Sequence, residues 1–173
     1  WFVEATGNWR SATGKPANYC MEIFGGKEEK CGIPHEFGST GFGVAHATAV
    51  AAKLIGIDLK GATVAIHGFG NVGTFAYQFL AEMGARIVAI ADRSGAVYSE
   101  AGFERSAIDD VIARKRTLVE SFQSASIGPN DFWRAPVDIL VPASVTDVIN
   151  ESNKEGIRAK IIVEAGNIPM REN

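Results

Sequence analysis

Three glycines, Gly68, Gly70 and Gly73, interrupt an apolar stretch with the spacing G-x-G-x-x-G. Each glycine gives up side-chain packing and costs backbone entropy on folding, so three of them at this spacing require a reason. A glycine loop lets a ligand approach the backbone closely, and a helix that starts just after the loop offers free N–H groups to an anion. The chemistry that this spacing indicates is the binding of a phosphate-containing ligand.

The residues around the glycines form the context that this chemistry needs. Residues 62–68 have the composition of a short strand, residues 71–84 the spacing of an amphipathic helix, and residues 86–92 form a second, continuously apolar strand. The apolar stripe predicted for the helix comprises Val72, Phe75, Ala76, Phe79, Leu80 and Met83. Strand, glycine turn, helix and strand make a βαβ unit, and Asp92 at its end completes the arrangement typical of dinucleotide binding.

Each glycine of the loop has a predicted role. Gly68 makes the tight turn out of the strand, Gly70 leaves room for a pyrophosphate, and Gly73 allows the helix to pack closely on the sheet. Phe69 lies within the loop, and the phosphates are expected to bind the N–H groups that open the helix, those of Asn71, Val72 and Gly73. The alternative is that the glycines only permit a tight turn between strand and helix.

The two residues that follow the second strand bear on the choice of cofactor. Asp92 is predicted to accept hydrogen bonds from the adenosine ribose hydroxyls, which favours NAD because a carboxylate repels a 2′-phosphate. Arg93 would favour NADP if it reached such a phosphate, and it is also suited to stacking on adenine. The alternative for both residues is an ordinary solvated position at the end of a strand. NAD is therefore the predicted cofactor, with NADP as the alternative.

The remaining apolar segments extend this unit into an open α/β fold. Residues 39–56 predict a helix that Ser39 or Thr40 caps and that is buried over most of its circumference, because charged residues are absent before Lys53. Further predicted elements are one long or broken helix over 108–122, a strand over 137–144, a short helix over 145–156 and a strand over 159–167. Alternating strands and helices predict a Rossmann-like, mostly parallel sheet with helices on both faces.

The composition is that of an ordinary globular protein. With 46% hydrophobic residues, 21% charged residues and a net charge of −3, nothing favours nucleic acid or an anionic membrane as partner. Cys20 and Cys31 are too far apart for a C-x-x-C pair, and with His35 they still lack the fourth ligand of a structural zinc. We therefore expect reduced thiols, no metal and a cytoplasmic location, with a disulfide or a metal site as the alternatives. Residues 1–38 are predicted to be an irregular lead-in that packs on a dinucleotide-binding domain formed by residues 39–173.

Several segments together resemble the cofactor domain of the Glu/Leu/Phe/Val dehydrogenases, and of their glutamate branch in particular. These segments are GIDLKGATVAIHGFGNVG (56–73), VDILVPAS (137–144), AKIIVEAGN (159–167) and ATGKP (12–16). The glutamate branch is favoured by Gly73 and by "PAS", since the leucine and phenylalanine enzymes tend to have alanine and "PCA" there. The resemblance implies a parent enzyme that deaminates L-glutamate oxidatively to 2-oxoglutarate and ammonia with NAD(P).

The resemblance also implies roles for residues outside the glycine loop. Thr40 matches the family threonine near the nicotinamide carboxamide, with helix capping as its alternative role. Ala143 and Ser144 match a segment that lies along the cofactor. Asn167 matches an asparagine near the nicotinamide ribose, with a plain turn residue as the alternative. Phe42 departs from the family pattern at the nicotinamide end.

The lysine and the aspartate that carry the family's catalysis match no segment of this sequence, so no catalytic residue is predicted here. We expect an excised cofactor domain, truncated relative to the family domain, that binds NAD(P) and turns over nothing. Its implied partner is the substrate domain of a homo-oligomeric parent, hexameric by resemblance. The alternatives are the cofactor domain of a leucine- or valine-type dehydrogenase and a non-catalytic dinucleotide-sensing module.

Overall fold

A computed structural model describes residues 37–171 of the chain, together with Ala5. The chain divides into two units, Trp1–Ser39 and Thr40–Asn173, and the first lies almost wholly outside the described residues. The predicted lead-in, both cysteines and the ATGKP segment fall there. The domain boundary after residue 38 therefore stays a prediction, and the architecture below is that of the second unit.

The described residues form an α/β fold on a six-stranded sheet with the strand order β4-β3-β2-β1-β5-β6. The strands are β1 (Thr63–His67), β2 (Arg86–Asp92), β3 (Gly95–Tyr98), β4 (Ser126–Ile127), β5 (Ile139–Pro142) and β6 (Ile161–Ile162). The pairs β1–β2, β1–β5 and β5–β6 are parallel, whereas β2–β3 and β3–β4 are antiparallel. The predicted open sheet is confirmed, and its antiparallel edge was not predicted.

The helices cover the two faces of this sheet unequally. They are α1 (Ser39–Leu54), α2 (Asn71–Glu82), α3 (Arg105–Ala113), α4 (Leu118–Ser121) and α5 (Pro129–Trp133), with 3-10 turns at Gln123–Ala125 and Lys154–Gly156. One core cluster joins strand residues such as Val64 and Ile66 to residues of the first four helices. A smaller cluster on the opposite face packs Ala65 and Leu140 against Phe132 and Trp133 of α5. Because both faces are covered, β2 is buried from Ile87 to Ala91 without alternation.

The predicted burial of α1 was wrong for one of its faces. Its buried residues are Gly41, Val44, Ala45, Thr48 and Ala52, which form a single stripe. On the other side Val50 is 61% exposed and Leu54 is 80% exposed. The buried stripe consists of small residues because α2 lies against it: a Cβ at Gly41 would come within 2.5 Å of the Phe75 Cβ. An alanine-rich sequence does not distinguish such a stripe from a fully buried helix.

The predicted stripe of α2 was also displaced around the helix. The fully buried residues are Gly73, Ala76, Tyr77 and Leu80, whereas Val72, Phe75, Phe79 and Met83 are only partly buried. Gly73 packs directly on the carbonyl of Gly68, and this contact determines which side of α2 faces the sheet. Gly84, with φ +89°, follows α2 in the left-handed conformation that commonly ends helices.

The prediction of a helix over 145–156 was wrong, because this segment forms turns that end in the 3-10 turn Lys154–Gly156. The side chain of Asn153 accepts a hydrogen bond from the Asn150 N–H and donates one to the Val148 carbonyl. The Asn150 side chain accepts another from the Ser152 N–H. Asparagine side chains thus bond to backbone groups that a helix would have paired, which disfavours helix formation.

Between β2 and β5 the structure contains more elements than the sequence indicated. The predicted helix over 108–122 is broken into α3 and α4, and Lys115 between them has φ +51°. The strands β3 and β4 and the helix α5 were not predicted, since each has at most five residues. In the described part of the chain no helix is long and apolar enough to cross a membrane.

Candidate functional site

The candidate site lies where the connections from the central strands diverge. The chain leaves β1 through α2 to β2 on one side, while β5 lies parallel to β1 on the other side. Open α/β sheets bind ligands in the crevice at the carboxyl ends of such strands. A cleft of about 770 Å³ opens there, lined by the Gly68–Gly70 loop, the ends of β2 and β5, and the connection between α3 and α4.

Two of the three glycines are required by neighbouring protein atoms. Gly68 has φ +101°, and a Cβ there would approach the Ser144 Cβ to 2.7 Å and the Ala143 carbonyl oxygen to 2.8 Å. A Cβ at Gly73 would come within 1.8 Å of the Gly68 carbonyl oxygen. The turn and packing roles predicted for these two glycines therefore have a direct steric cause in the fold.

No neighbouring protein atom requires a glycine at position 70. Its φ of −87° suits other residues, and a Cβ at this position would meet no described atom within 4 Å. The space beside Gly70 belongs to the cleft. Turn geometry thus accounts for Gly68 and Gly73 but not for Gly70, whose missing side chain leaves the backbone open to a ligand.

The start of α2 is electrostatically suited to an anion. Gly70 is the residue before the helix and has no side chain to cap it, and the first turn of α2 carries no acidic residue. The N–H groups of Asn71, Val72 and Gly73 have no intrahelical acceptors, because they lie in the first turn of the helix. Phe69 holds the loop against α2 by an edge-to-face contact with Tyr77, with ring centroids 5.8 Å apart.

Asp92 lines the cleft at the end of β2 and already has structural partners. Its Oδ1 accepts hydrogen bonds from the N–H of Ser94 at 2.7 Å and from the Ser94 hydroxyl at 2.5 Å. Its Oδ2 accepts one from the N–H of Leu118, the first residue of α4, at 3.1 Å. Asp92 therefore joins the turn after β2 to the start of α4, a role that the sequence did not indicate, and the remaining lone pairs of its carboxylate can still accept hydrogen bonds from a ligand.

Three cations face the cleft around Asp92. Arg93 follows β2, while Lys115 and Arg116 come from the connection between α3 and α4, and all three are exposed. The neighbouring Arg114 is instead paired with Asp110 at 2.6 Å. Sequence reasoning missed Lys115 and Arg116, and the basic run at residues 114–116 was the available signal.

At the end of β5, Ala143 and Ser144 line the cleft. The Ala143 N–H donates to the His67 carbonyl at 2.7 Å, which extends the β1–β5 pairing. The Oγ of Ser144 lies 2.8 Å from Nδ1 of His67. His67 was not among the predicted site residues, because its position inside an apolar strand carries no separate signal.

The imidazole of His67 is held in an aromatic environment. It stacks on Trp133 with ring centroids 4.5 Å apart and meets Phe132 edge-on at 5.3 Å. Burial lowers the pKa of His67 to about 4, and a hydrogen bond between the ring and its own backbone opposes this shift only in part. The ring is therefore neutral at physiological pH.

Five predicted site residues are not among those that line the cleft: Asn71, Val72 and Gly73 of the first turn of α2, and Thr40 and Asn167 elsewhere. Thr40 is an exposed residue within α1, and Asn167 is exposed in the last turns of the described chain, where its carbonyl accepts a hydrogen bond from Thr146 at 2.9 Å. Neither lines the cleft. The prediction that Ser39 or Thr40 caps α1 was wrong, because both residues lie inside the helix rather than before it.

Among residues 37–171, no group of three or more His, Cys, Asp or Glu side chains is placed to hold a metal ion.

The sequence has close counterparts among characterised proteins. The chain is 41% identical over 147 residues to the glutamate dehydrogenase of Aeropyrum pernix. It is 39% identical over 150 residues to the NADP-specific glutamate dehydrogenase of Saccharolobus shibatae and 35% identical over 150 residues to the NAD-specific enzyme of Clostridioides difficile. These matches cover 85%, 86% and 80% of this chain but 35%, 35% and 36% of those proteins. The chain thus spans about a third of the length of these relatives.

Solved structures agree with this match. The glutamate dehydrogenase of Peptoniphilus asaccharolyticus is 31% identical with a TM-score of 0.63, covering 98% of this chain and 37% of that one. The hetero-hexameric glutamate dehydrogenase of Thermus thermophilus, in its Leu-bound form, has a TM-score of 0.66 at 24% identity, covering 96% and 37%.

The family model for Glutamate/Leucine/Phenylalanine/Valine dehydrogenases matches residues 31–173, a range that contains the whole cleft. With the glycine loop, the strand order and these relatives in agreement, the chain belongs to the Glutamate/Leucine/Phenylalanine/Valine dehydrogenase family.

Proposed function

We propose that this chain is the NAD(P)-binding domain of a glutamate dehydrogenase. The parent enzyme deaminates L-glutamate to 2-oxoglutarate and ammonia and transfers a hydride to the nicotinamide. The observation that carries the proposal is the open space beside Gly70, next to the uncapped start of α2 and at the carboxyl ends of β1 and β5. The fold gives no steric reason for a glycine at this position, whereas a pyrophosphate that approaches the backbone closely needs a residue without a side chain there.

The cleft offers a place for each part of the cofactor. The pyrophosphate binds the N–H groups at the start of α2, where the helix dipole favours negative charge. The adenosine ribose lies beside Asp92, and the nicotinamide half extends from the pyrophosphate past Ala143 and Ser144. Support for dinucleotide use also comes from the relatives, which include enzymes named NAD-specific and NADP-specific.

The choice between the two cofactors depends on opposing charges at the adenosine end. The Asp92 carboxylate favours the free 2′-hydroxyl of NAD, and we keep NAD as the proposed cofactor. Arg93, Lys115 and Arg116 supply positive charge at the same end of the cleft, which favours the 2′-phosphate of NADP. NADP therefore remains the alternative.

The contribution of this chain to the reaction is orientation. It presents one face of the nicotinamide to a substrate bound by another domain of the parent enzyme, which supplies the catalytic groups. The chain therefore binds cofactor without turning over glutamate. A homo-oligomeric parent, by family resemblance a hexamer, and a cytoplasmic location remain part of this proposal.

Calorimetric titration of the chain with NAD and with NADP tests the proposal. Gly70→Ala places a methyl group in the proposed pyrophosphate position and should weaken binding of both cofactors by about tenfold or more, since lost phosphate contacts are charge-assisted. Gly43→Ala is the matched control, because a Cβ there also meets no described atom within 4 Å but Gly43 lies on α1, away from the cleft. Equal affinities for Gly70→Ala and wild type would refute the phosphate assignment. Absence of binding by wild type would refute the function.

A further inference from the structure

We propose that His67 is a positioning residue that holds the Ser144 hydroxyl as a hydrogen-bond donor toward the pyrophosphate of the bound dinucleotide. This inference rests on the proposed function. His67 ends β1, Ser144 follows β5, and both residues line the cleft beside the glycine loop. The Nδ1 atom of His67 and the Oγ atom of Ser144 are 2.8 Å apart, a normal hydrogen-bond distance.

The His67 ring has a fixed orientation. Trp133 stacks on it at a centroid distance of 4.5 Å and an interplanar angle of 30°, and Phe132 contacts it at 5.3 Å. Both rings belong to α5, on the face of the sheet opposite α2, and both are buried. A histidine held in this way keeps its Nδ1 directed at Ser144 without reorganising when a ligand enters.

We assign the proton of this neutral ring to Nδ1. The ring is neutral at physiological pH, because burial disfavours the imidazolium. The structure gives Nδ1 the Ser144 Oγ as its hydrogen-bond partner, 2.8 Å away. With the proton on Nδ1, this atom donates and the Ser144 oxygen accepts from it. The hydroxyl proton of Ser144 is then free for another acceptor.

The Ser144 hydroxyl is placed beside the proposed phosphate position. A Cβ at Gly68 would lie 2.7 Å from the Ser144 Cβ, so Ser144 packs directly on the first glycine of the loop. A Cβ at Gly166 would lie 3.0 Å from the Ser144 carbonyl oxygen, so a second glycine packs on the Ser144 backbone. A donor held next to the loop that receives the pyrophosphate complements the N–H groups at the start of α2. The acceptor that this arrangement fits is a phosphate oxygen.

A double-mutant cycle on NAD binding tests the coupling. His67→Phe keeps an aromatic ring between Trp133 and Phe132 but removes the Nδ1 donor, and Ser144→Ala removes the hydroxyl. Each should weaken NAD binding about three- to tenfold, as expected for one hydrogen bond. The double variant should bind no more weakly than the weaker single variant, because the two residues act on one contact. His67→Asn, whose amide N–H can replace Nδ1, should recover most of the loss. Additive effects, or full affinity of Ser144→Ala, would overturn the inference.

Two further measurements separate this role from simple packing. Adenosine lacks both phosphates of the pyrophosphate, so its affinity should not change in Ser144→Ala if the hydroxyl contacts that group; an equal loss for adenosine and NAD would contradict it. The ¹⁵N spectrum of the His67 ring in wild type should show the neutral form protonated on Nδ1, and protonation on Nε2 would overturn the proposal without any variant. If wild type and Gly70→Ala behave as expected but these tests fail, only the inference on His67 is lost. If wild type binds no dinucleotide, the proposed function fails and the inference falls with it.

Discussion

Thr63 and Asp138 hydrogen-bond reciprocally at the amino ends of β1 and β5. The Asp138 Oδ2 accepts from the Thr63 N–H at 3.0 Å and from the Thr63 hydroxyl at 2.9 Å, and the Thr63 hydroxyl oxygen accepts from the Asp138 N–H at 2.9 Å. This pair sets the register in which Val64 lies opposite Ile139 and His67 opposite Pro142. The register at the amino ends thereby brings Ser144 beside the glycine loop at the carboxyl ends.

The Asp138 carboxylate should contribute substantially to stability. Asp138→Ala leaves the Thr63 N–H without its carboxylate acceptor and should lower the free energy of unfolding by about 1–3 kcal/mol. Lys160→Met is the control: it removes only the exposed ion pair with Asp138, at 2.9 Å, and should cost less than about 1 kcal/mol. Urea unfolding measures both changes. Equal losses in the two variants would assign the effect to the ion pair instead of the strand register.

His67 should make the stability of the domain depend on pH below neutrality. Burial lowers its pKa in the folded chain to about 4 from 6.5, so the unfolded chain binds the proton first as the pH falls. The contribution is fully present above pH 6.5 and is lost between pH 6.5 and about 4, with an upper limit of about 3 kcal/mol.

Urea unfolding of wild type and His67→Gln at several pH values measures this dependence. The difference in unfolding free energy between the two proteins should change across that interval. A constant difference between wild type and His67→Gln would show that the imidazole does not resist protonation in the fold.

Substitution by alanine should destabilise the fold at Gly73 but not at Gly70. Gly73→Ala drives a Cβ to 1.8 Å from the Gly68 carbonyl oxygen, so α2 must shift, at a cost of about 1–3 kcal/mol or more. Gly70→Ala meets open space and should leave the midpoint of thermal unfolding within about 2 °C of wild type. Cofactor binding should weaken in both. A large loss of stability in Gly70→Ala would mean that the glycine is needed for the turn alone.

Asp92 should affect both cofactor preference and stability. Asp92→Ala removes the proposed ribose acceptor and should lower the ratio of NAD affinity to NADP affinity about tenfold, the value of a charged hydrogen bond and a relieved repulsion. Because Asp92→Ala also loses the hydrogen bonds to Ser94 and Leu118, this variant should melt at a lower temperature than wild type.

Ser94→Ala separates the two effects of Asp92. It removes the donation from the Ser94 hydroxyl to Asp92 but keeps the carboxylate, so the affinity ratio should stay as in wild type. Calorimetric titration with NAD and NADP gives the ratio for each variant. An unchanged ratio in Asp92→Ala would exclude this residue from the ribose site.

The parts of the molecule that could be predicted are those encoded by neighbouring residues. The βαβ unit from β1 to β2 follows from a period-3.6 stripe between two apolar runs, and its glycine loop lines the cleft. The same periodicity misplaced the buried side of α2, since the contact between Gly73 and Gly68 outweighs the count of apolar residues. It also predicted a helix over 145–156, where asparagine side chains bond to the backbone instead.

The rest was decided by residues that are distant in sequence. Lys115 and Arg116 face the cleft with Arg93, Asp92 reaches the N–H of Leu118, and His67 meets Ser144 across the β1–β5 pair. None of these contacts follows from local spacing, because each depends on the order and register in which strands and helices pack. The sequence by itself determined the βαβ unit and its glycine loop, since backbone conformation and apolar periodicity are local properties. Only the tertiary structure decided which charges and hydrogen-bond donors surround that loop, because those distances exist only once the sheet has formed.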